Sequence, residues 1–116
     1  MSEVKRLKTV EQWEEALKHT SDKPLLVFKH STSCPISAGA HDELDRFVGG
    51  SAALPVDVAI VHVIEERPVS NAIAEALQVQ HKSPQAILVR DGRSVWNESH
   101  WRITSDFLNE RVGAEG

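Results

Sequence analysis

Short apolar runs alternate with amphipathic stretches along this chain, and their spacing assigns most of its elements. Val10, Trp13, Ala16 and Leu17 recur at helical spacing, so residues 10–19 read as an amphipathic helix. Thr9, followed three residues on by Gln12, is a capping-box pattern at its start. Asp22-Lys23-Pro24 ends that helix. "LLVFKH", Leu25 to His30, is then a continuous apolar run that predicts a buried strand. Pro35 stands where a helix wants its first residue, since its missing N–H costs nothing there. Ile36, Ala40, Leu44, Phe47 and Val48 form the stripe of that helix, which stops at Gly49-Gly50. "VDVAIVHVI", Val56 to Ile64, is rich in β-branched residues and predicts a central strand. After a turn at "ERP", Ser70 is expected to cap a third helix through Ala72, Ile73, Ala76 and Leu77. "QAILVR" and "RSVWNE" flank Asp91-Gly92, a strong hairpin signal. Ile103, Phe107, Leu108 and Val112 share one face of a last helix, with Thr104 or Ser105 as its cap.

The predicted order is α-β-α-β-α-β-β-α, with a parallel crossover first and a hairpin last. A four-stranded mixed β-sheet flanked by helices on both faces satisfies the crossover rule and buries the apolar strands. That is an α/β architecture with the element order of the thioredoxin fold. No repeat, linker or low-complexity segment interrupts it, so residues 1–116 read as a single thioredoxin-like domain. Fold alone does not give function.

Composition narrows the classes. With 116 residues, 41% of them hydrophobic and 26% charged, one core without disulfide support is expected. The net charge of −4, with basic residues scattered, points away from nucleic acid. No apolar run approaches the roughly 20 residues of a membrane span, and the opening "MSEVKRLKTVEQWEEALKHT" has no apolar core of a secretory signal. A single cysteine excludes an internal disulfide framework and makes a reducing, cytoplasmic setting the expectation.

That cysteine carries the chemistry. Cys34, in "KHSTSCPISAGAH", falls between the first strand and the first turn of the next helix. Unpaired N–H groups and the macrodipole of a helix N-terminus favour the thiolate, the attacking species. Turns lie at the surface, which argues against Cys34 as a buried filler. Lys29 and His30 precede it on a strand and point to opposite faces, so at most one helps directly. Ser37 stands where a C-x-x-C pair would carry its second thiol. A hydroxyl cannot form a disulfide, so a second thiol must come from solution. Two roles are open for Ser37: donor to the thiolate, or partner of a backbone amide.

The six histidines do not assemble a metal set, because neither Cys-x-x-Cys nor His-x-x-x-His spacing occurs. His19, His41 and His62 read as ordinary surface or satisfied groups, while His81 and His100 border candidate site loops. Trp13 and Trp96 read as packing residues.

"HSTSCPIS", "SPQAILVRDG" and "VWNESHWRIT" resemble the monothiol bacilliredoxins of the YtxJ family, thioredoxin-fold proteins of the bacillithiol system. The family's Thr-Cys-Pro-Ile-Ser signature appears as Ser33-Cys34-Pro35-Ile36-Ser37. The resemblance implies that Cys34 is the catalytic nucleophile of an enzyme that removes bacillithiol from S-bacillithiolated proteins. Bacillithiol would be its co-substrate thiol, with no metal. It also implies a bacillithiol and substrate set of Ser33, Pro35, Ser37, Ser83, Pro84, Trp101 and Thr104. Pro84 would be the cis proline that faces the cysteine in such folds, and the amides around Thr104 would take a carboxylate. Bacillithiol carries a malate, and Lys29, Lys82 and Arg102 are the cations in reach of these motifs. Two rival readings share the lone cysteine. One is an iron–sulfur carrier bridging two subunits, which Pro35 crowds; the other is a non-catalytic redox sensor.

Overall fold

The computed structural model describes residues 4–31, 35–49, 56–99 and 103–115, with side chains as far as Arg111 in the last helix. In chain order the elements are β1 (Val4–Arg6), α1 (Val10–Lys18), β2 (Leu25–His30), α2 (Pro35–Gly49), β3 (Asp57–His62), α3 (Arg67–Leu77), β4 (Gln85–Arg90), β5 (Arg93–Ser99) and α4 (Ser105–Glu115). A 3-10 turn, His19–Ser21, closes α1. The strands form one sheet in the order β1-β3-β2-β4-β5. The first three neighbours run parallel, β4 runs antiparallel to β2, and β5 runs antiparallel to β4.

This is the thioredoxin arrangement with one strand more than the apolar pattern predicts. β1 escapes that pattern because all three of its residues are exposed. It is held by pairing with β3 and by a long-range ion pair. Arg6 donates Nε and Nη2 to the two carboxylate oxygens of Glu66, at 3.0 and 2.7 Å. Such two-pronged pairing is geometrically specific and stronger than a single neutral hydrogen bond.

β2 is buried at all six positions, as its central place requires. Alternation sends Leu26 and Phe28 to one face, where they pack with Ala40, Leu44 and Phe47 of α2 and Leu108 of α4. Leu25 and Val27 go to the other, against Trp13 of α1 and Val69, Ile73 and Leu77 of α3. Trp13 and Trp96 are indeed core residues.

Local signals set most boundaries. Thr9 accepts from the Gln12 amide at 3.1 Å, and the Gln12 carboxamide reaches back to the Lys8 amide at 2.8 Å. Asp91 and Gly92, at φ 53° and 74°, make the β4–β5 turn. The Gly92 amide donates to Thr20 Oγ1 at 2.9 Å, which docks the hairpin on the turn after α1. α3 corrects the expectation for Ser70. The helix begins at Arg67, with Pro68 in its first turn and Glu66 as the preceding cap. The fixed φ of Pro68 starts the helix rather than delaying it, so Ser70 lies inside it, 2% exposed.

Candidate functional site

Strand β2 delivers two polar residues to the end of the sheet from which the chain runs on to Cys34. Their alternation sends them apart, as expected. His30 faces α2 and Lys29 faces α3.

His30 is almost buried and stacks with Phe28, with ring centroids 5.8 Å apart. His41 and His62 pack beside it at 4.8 and 5.7 Å. Its Nδ1 lies 2.8 Å from Ser37 Oγ, and the Ser31 amide donates to the same oxygen at 2.9 Å. Ser37, fully buried in the first turn of α2, therefore ties that turn to the backbone leaving β2. Of the two roles open to it, pairing with a backbone amide is present, and the role toward Cys34 falls on a residue outside the described ones. Burial, followed by the charges of His41 and His62, pushes the His30 pKa below its ordinary 6.5.

Lys29 is without exposed surface. Its Nζ donates to the Ser70 carbonyl at 3.1 Å and lies 3.4 Å from His81 Nδ1, which is 3.2 Å from Ser70 Oγ. Lys29 thus serves a buried polar cluster under α3 and is no surface counter-charge for a ligand. Desolvation lowers its pKa to about 8. His81, next to Lys29 and Arg67, is depressed as well, first by burial.

The Ser83–Pro84 peptide bond is cis. Pro84 is buried and Ser83 half-buried, and they lead into Gln85, which pairs with Lys29 across β2 and β4. Lys82 beside them is exposed.

A groove of about 230 Å³ runs between α2 and the start of α4, lined by Pro35, Ile36, Gly39, Ala40, Glu43, Ile103 and Thr104. It brings Pro35 and Thr104 together, whereas Ser37, Ser83 and Pro84 are not in its wall. Glu43 spans its floor. One carboxylate oxygen accepts from the Ser105 amide at 2.9 Å, and the other pairs with Arg46 at 2.7 Å. Thr104 Oγ1 accepts from the Phe107 amide at 3.1 Å. The start of α4 is therefore capped from within by a carboxylate and a hydroxyl, and its Ser105 amide is already engaged. Nothing in the sequence spacing marks Glu43, 62 residues from its partner, for this task.

Cys34, Ser33, Trp101, His100 and Arg102 lie outside the described residues. Among the described residues, His41, Asp42 and Asp45 bring ligand atoms within 4.8 Å of one another. They lie on the outer side of α2, and His41 and Asp45 are an ordinary i,i+4 pair at 3.3 Å. His62 pairs with Glu65 at 3.4 Å and His19 with Glu15 at 3.2 Å, so these histidines have partners.

Comparison with known proteins agrees with this geometry. The family model of monothiol bacilliredoxin BrxC matches residues 5–108. A solved thioredoxin-fold protein described as a candidate oxidoreductase is similar at 33% identity and TM-score 0.82, covering 95% of this chain and 93% of that one. A Fasciola hepatica thioredoxin has a TM-score of 0.75 at 16% identity, covering 97% and 100%. A Halobacterium salinarum thioredoxin variant has a TM-score of 0.73 at 19% identity, covering 98% and 93%. The last two share the fold.

Proposed function

The chain belongs to the monothiol bacilliredoxin family, thiol-redox proteins on a thioredoxin fold, and from that premise we propose that it removes bacillithiol from S-bacillithiolated proteins. The observation that carries the reading is Ser37. The position of a second thiol is taken by a buried hydroxyl already bonded to Ser31 and His30, so no resolving thiol follows Cys34 in the first turn of α2.

The Cys34 thiolate attacks the bacillithiol sulfur of the mixed disulfide. The protein–bacillithiol S–S bond breaks as the Cys34–bacillithiol S–S bond forms, and the protein thiolate leaves and takes a proton from water. A second bacillithiol thiolate then attacks the adduct, forming bacillithiol disulfide and restoring Cys34. Two electrons pass from the thiols to the substrate disulfide, and no metal takes part. The lone thiol suits a reducing, cytoplasmic compartment. Ser33, Pro35, Ser83, Pro84 and Trp101 remain the proposed contacts to bacillithiol or its protein substrate. Thr104 is proposed to contact the ligand from the groove wall, since Glu43 competes for a carboxylate at the helix start.

Intact-mass measurement tests this directly. Reduced protein mixed with a bacillithiolated substrate should gain one bacillithiol, and Cys34→Ser should gain none. A wild-type protein that stays unmodified, while the substrate keeps its bacillithiol, would refute the proposal.

A further inference from the structure

Lys29 places a positive charge under α3 without a matching negative one. Its side chain is fully buried, and Nζ donates to the Ser70 carbonyl at 3.1 Å with His81 Nδ1 at 3.4 Å. Its neighbours across the sheet are Val61 of β3 and Gln85 of β4, and the Gln85 carboxamide donates to the Gln80 carbonyl at 3.0 Å. Among the described residues, no carboxylate pairs with this ammonium. Glu65 and Glu66, just ahead of α3, are taken by His62 and Arg6. At neutral pH the group is below its pKa of about 8 and stays charged.

His81 links that charge to the surface. An ammonium only donates, so Nδ1 is the bare ring nitrogen and the proton sits on Nε2. Ser70 Oγ, 3.2 Å from Nδ1, holds the same edge of the ring inward. His81 is exposed, so the Nε2–H edge is the one that meets solvent. Arg67, exposed at the start of α3, lies one turn before Ser70 on the same helix face. Lys29 and Arg67 both oppose protonation of the imidazole, after burial itself. The result is a neutral donor edge backed by one buried cation and flanked by an exposed one.

We propose that His81 Nε2–H and the Arg67 guanidinium bind a carboxylate of the bacillithiol malate, with Lys29 as the positioning residue that fixes and polarises the imidazole. This rests on bacillithiol as the ligand of the proposed function. The start of α4 is a poor place for that carboxylate, since Glu43 already holds the Ser105 amide there. The edge beside Ser83 offers charge-assisted hydrogen bonds and no competing carboxylate among the described residues. Lys29 never touches the ligand; its charge acts through the ring.

NMR titration of the Cys34→Ser protein tests this through the ¹⁵N shifts of His81 Nε2 and Arg67 Nε. Reduced bacillithiol at about pH 7 should move both, with one saturation curve. Cysteinyl-glucosamine, which lacks the malate, should bind about tenfold more weakly, the loss of one hydrogen-bonded charge, and leave both nitrogens unmoved. L-Malate alone, whose carboxylates stay ionised, should lose about fivefold in affinity between about pH 7 and about pH 9, as Lys29 gives up its proton. With Lys29→Met added, malate should bind weakly at both values. Unmoved nitrogens with bacillithiol, equal affinity for the two thiols, or malate binding that ignores both pH and Lys29→Met would each overturn the proposal. Should Lys29→Met fail to fold, the pH dependence in its parent decides. Every arm lacks the Cys34 thiol, so a failed carboxylate site and a failed bacillithiol transfer give separable results.

Discussion

An ammonium group without exposed surface stands beside the Ser70 carbonyl and His81, near the end of β2. The run "LLVFKH" reveals that Lys29 lies on a buried strand and on the face opposite His30. It does not reveal where the charge ends up, because Ser70 and His81 are 41 and 52 residues further along. Burial has a measurable consequence. An unfolded chain keeps the Lys29 proton up to the ordinary 10.5, while the folded one releases it near about 8. Between those values the unfolded state binds more protons, so this group makes the fold more stable as pH rises through that window. Below it, the fold bears the full burden of a desolvated charge. Lys29→Met removes the titration, and filling the site with an apolar side chain is expected to be near neutral or stabilising at pH 7. In urea unfolding, wild type should gain about 1–2 kcal/mol on the variant between about pH 7 and about pH 10, a figure discounted for solvent screening. A pH-independent difference would show that Lys29 keeps its ordinary pKa.

Each element has an end that local chemistry closes and, in some cases, an end that only a distant residue closes. Thr9 is of the first kind. Thr9→Ala removes the acceptor for the Gln12 amide and should cost about 1 kcal/mol in chemical unfolding, with thiol reactivity unchanged. β1 is of the second kind, held by Arg6 to a carboxylate 60 residues on. The Arg6 hydrogen bonds hold the Glu66 carboxyl below its ordinary 4.5, assisted by the His62 amide and opposed by burial. The stability from this pair is therefore fully present above the unfolded value and is lost as pH falls through the folded one. Glu66→Gln should lower the melting temperature at neutral pH, and the gap to wild type should shrink as pH drops below 4.5. A gap of constant size would mean that the pair contributes nothing through its charge. α4 combines both kinds, with Thr104 closing one amide locally and Glu43 closing another across the groove.

At the scale of the whole molecule, the sheet brings the ends of β2 and β3 together, and with them the histidines and the start of α2. The proposed chemistry depends on the single thiol in that place, so restoring a second one should change the reaction course. In Ser37→Cys, once Cys34 has taken up bacillithiol, the new thiol should displace it and close an internal disulfide. Intact mass would then show loss of the adduct and of two hydrogens without added bacillithiol. An adduct that persists as in wild type would mean that the new sulfur cannot reach Cys34. The variant should also melt lower, because sulfur is a weak acceptor for the Ser31 amide and a poor partner for His30.

Local signals along the chain were enough for the four helices, the four apolar strands, the hairpin at Asp91-Gly92 and the lone-thiol character of the 34–37 motif. Periodicity, caps and turn residues act over a few positions, so they are legible without the fold. Tertiary structure alone decided the fifth strand, the start of α3 at Arg67, the burial of Lys29 and the partners of Ser37 and Glu43. β1 has no apolar face to betray it, and Arg67 starts a helix where the pattern suggested a turn. Ser37 Oγ meets an imidazole and a backbone amide at the end of β2. These features rest on hydrogen bonds between residues far apart in sequence or on competition between partners, and neither leaves a periodic trace in the chain.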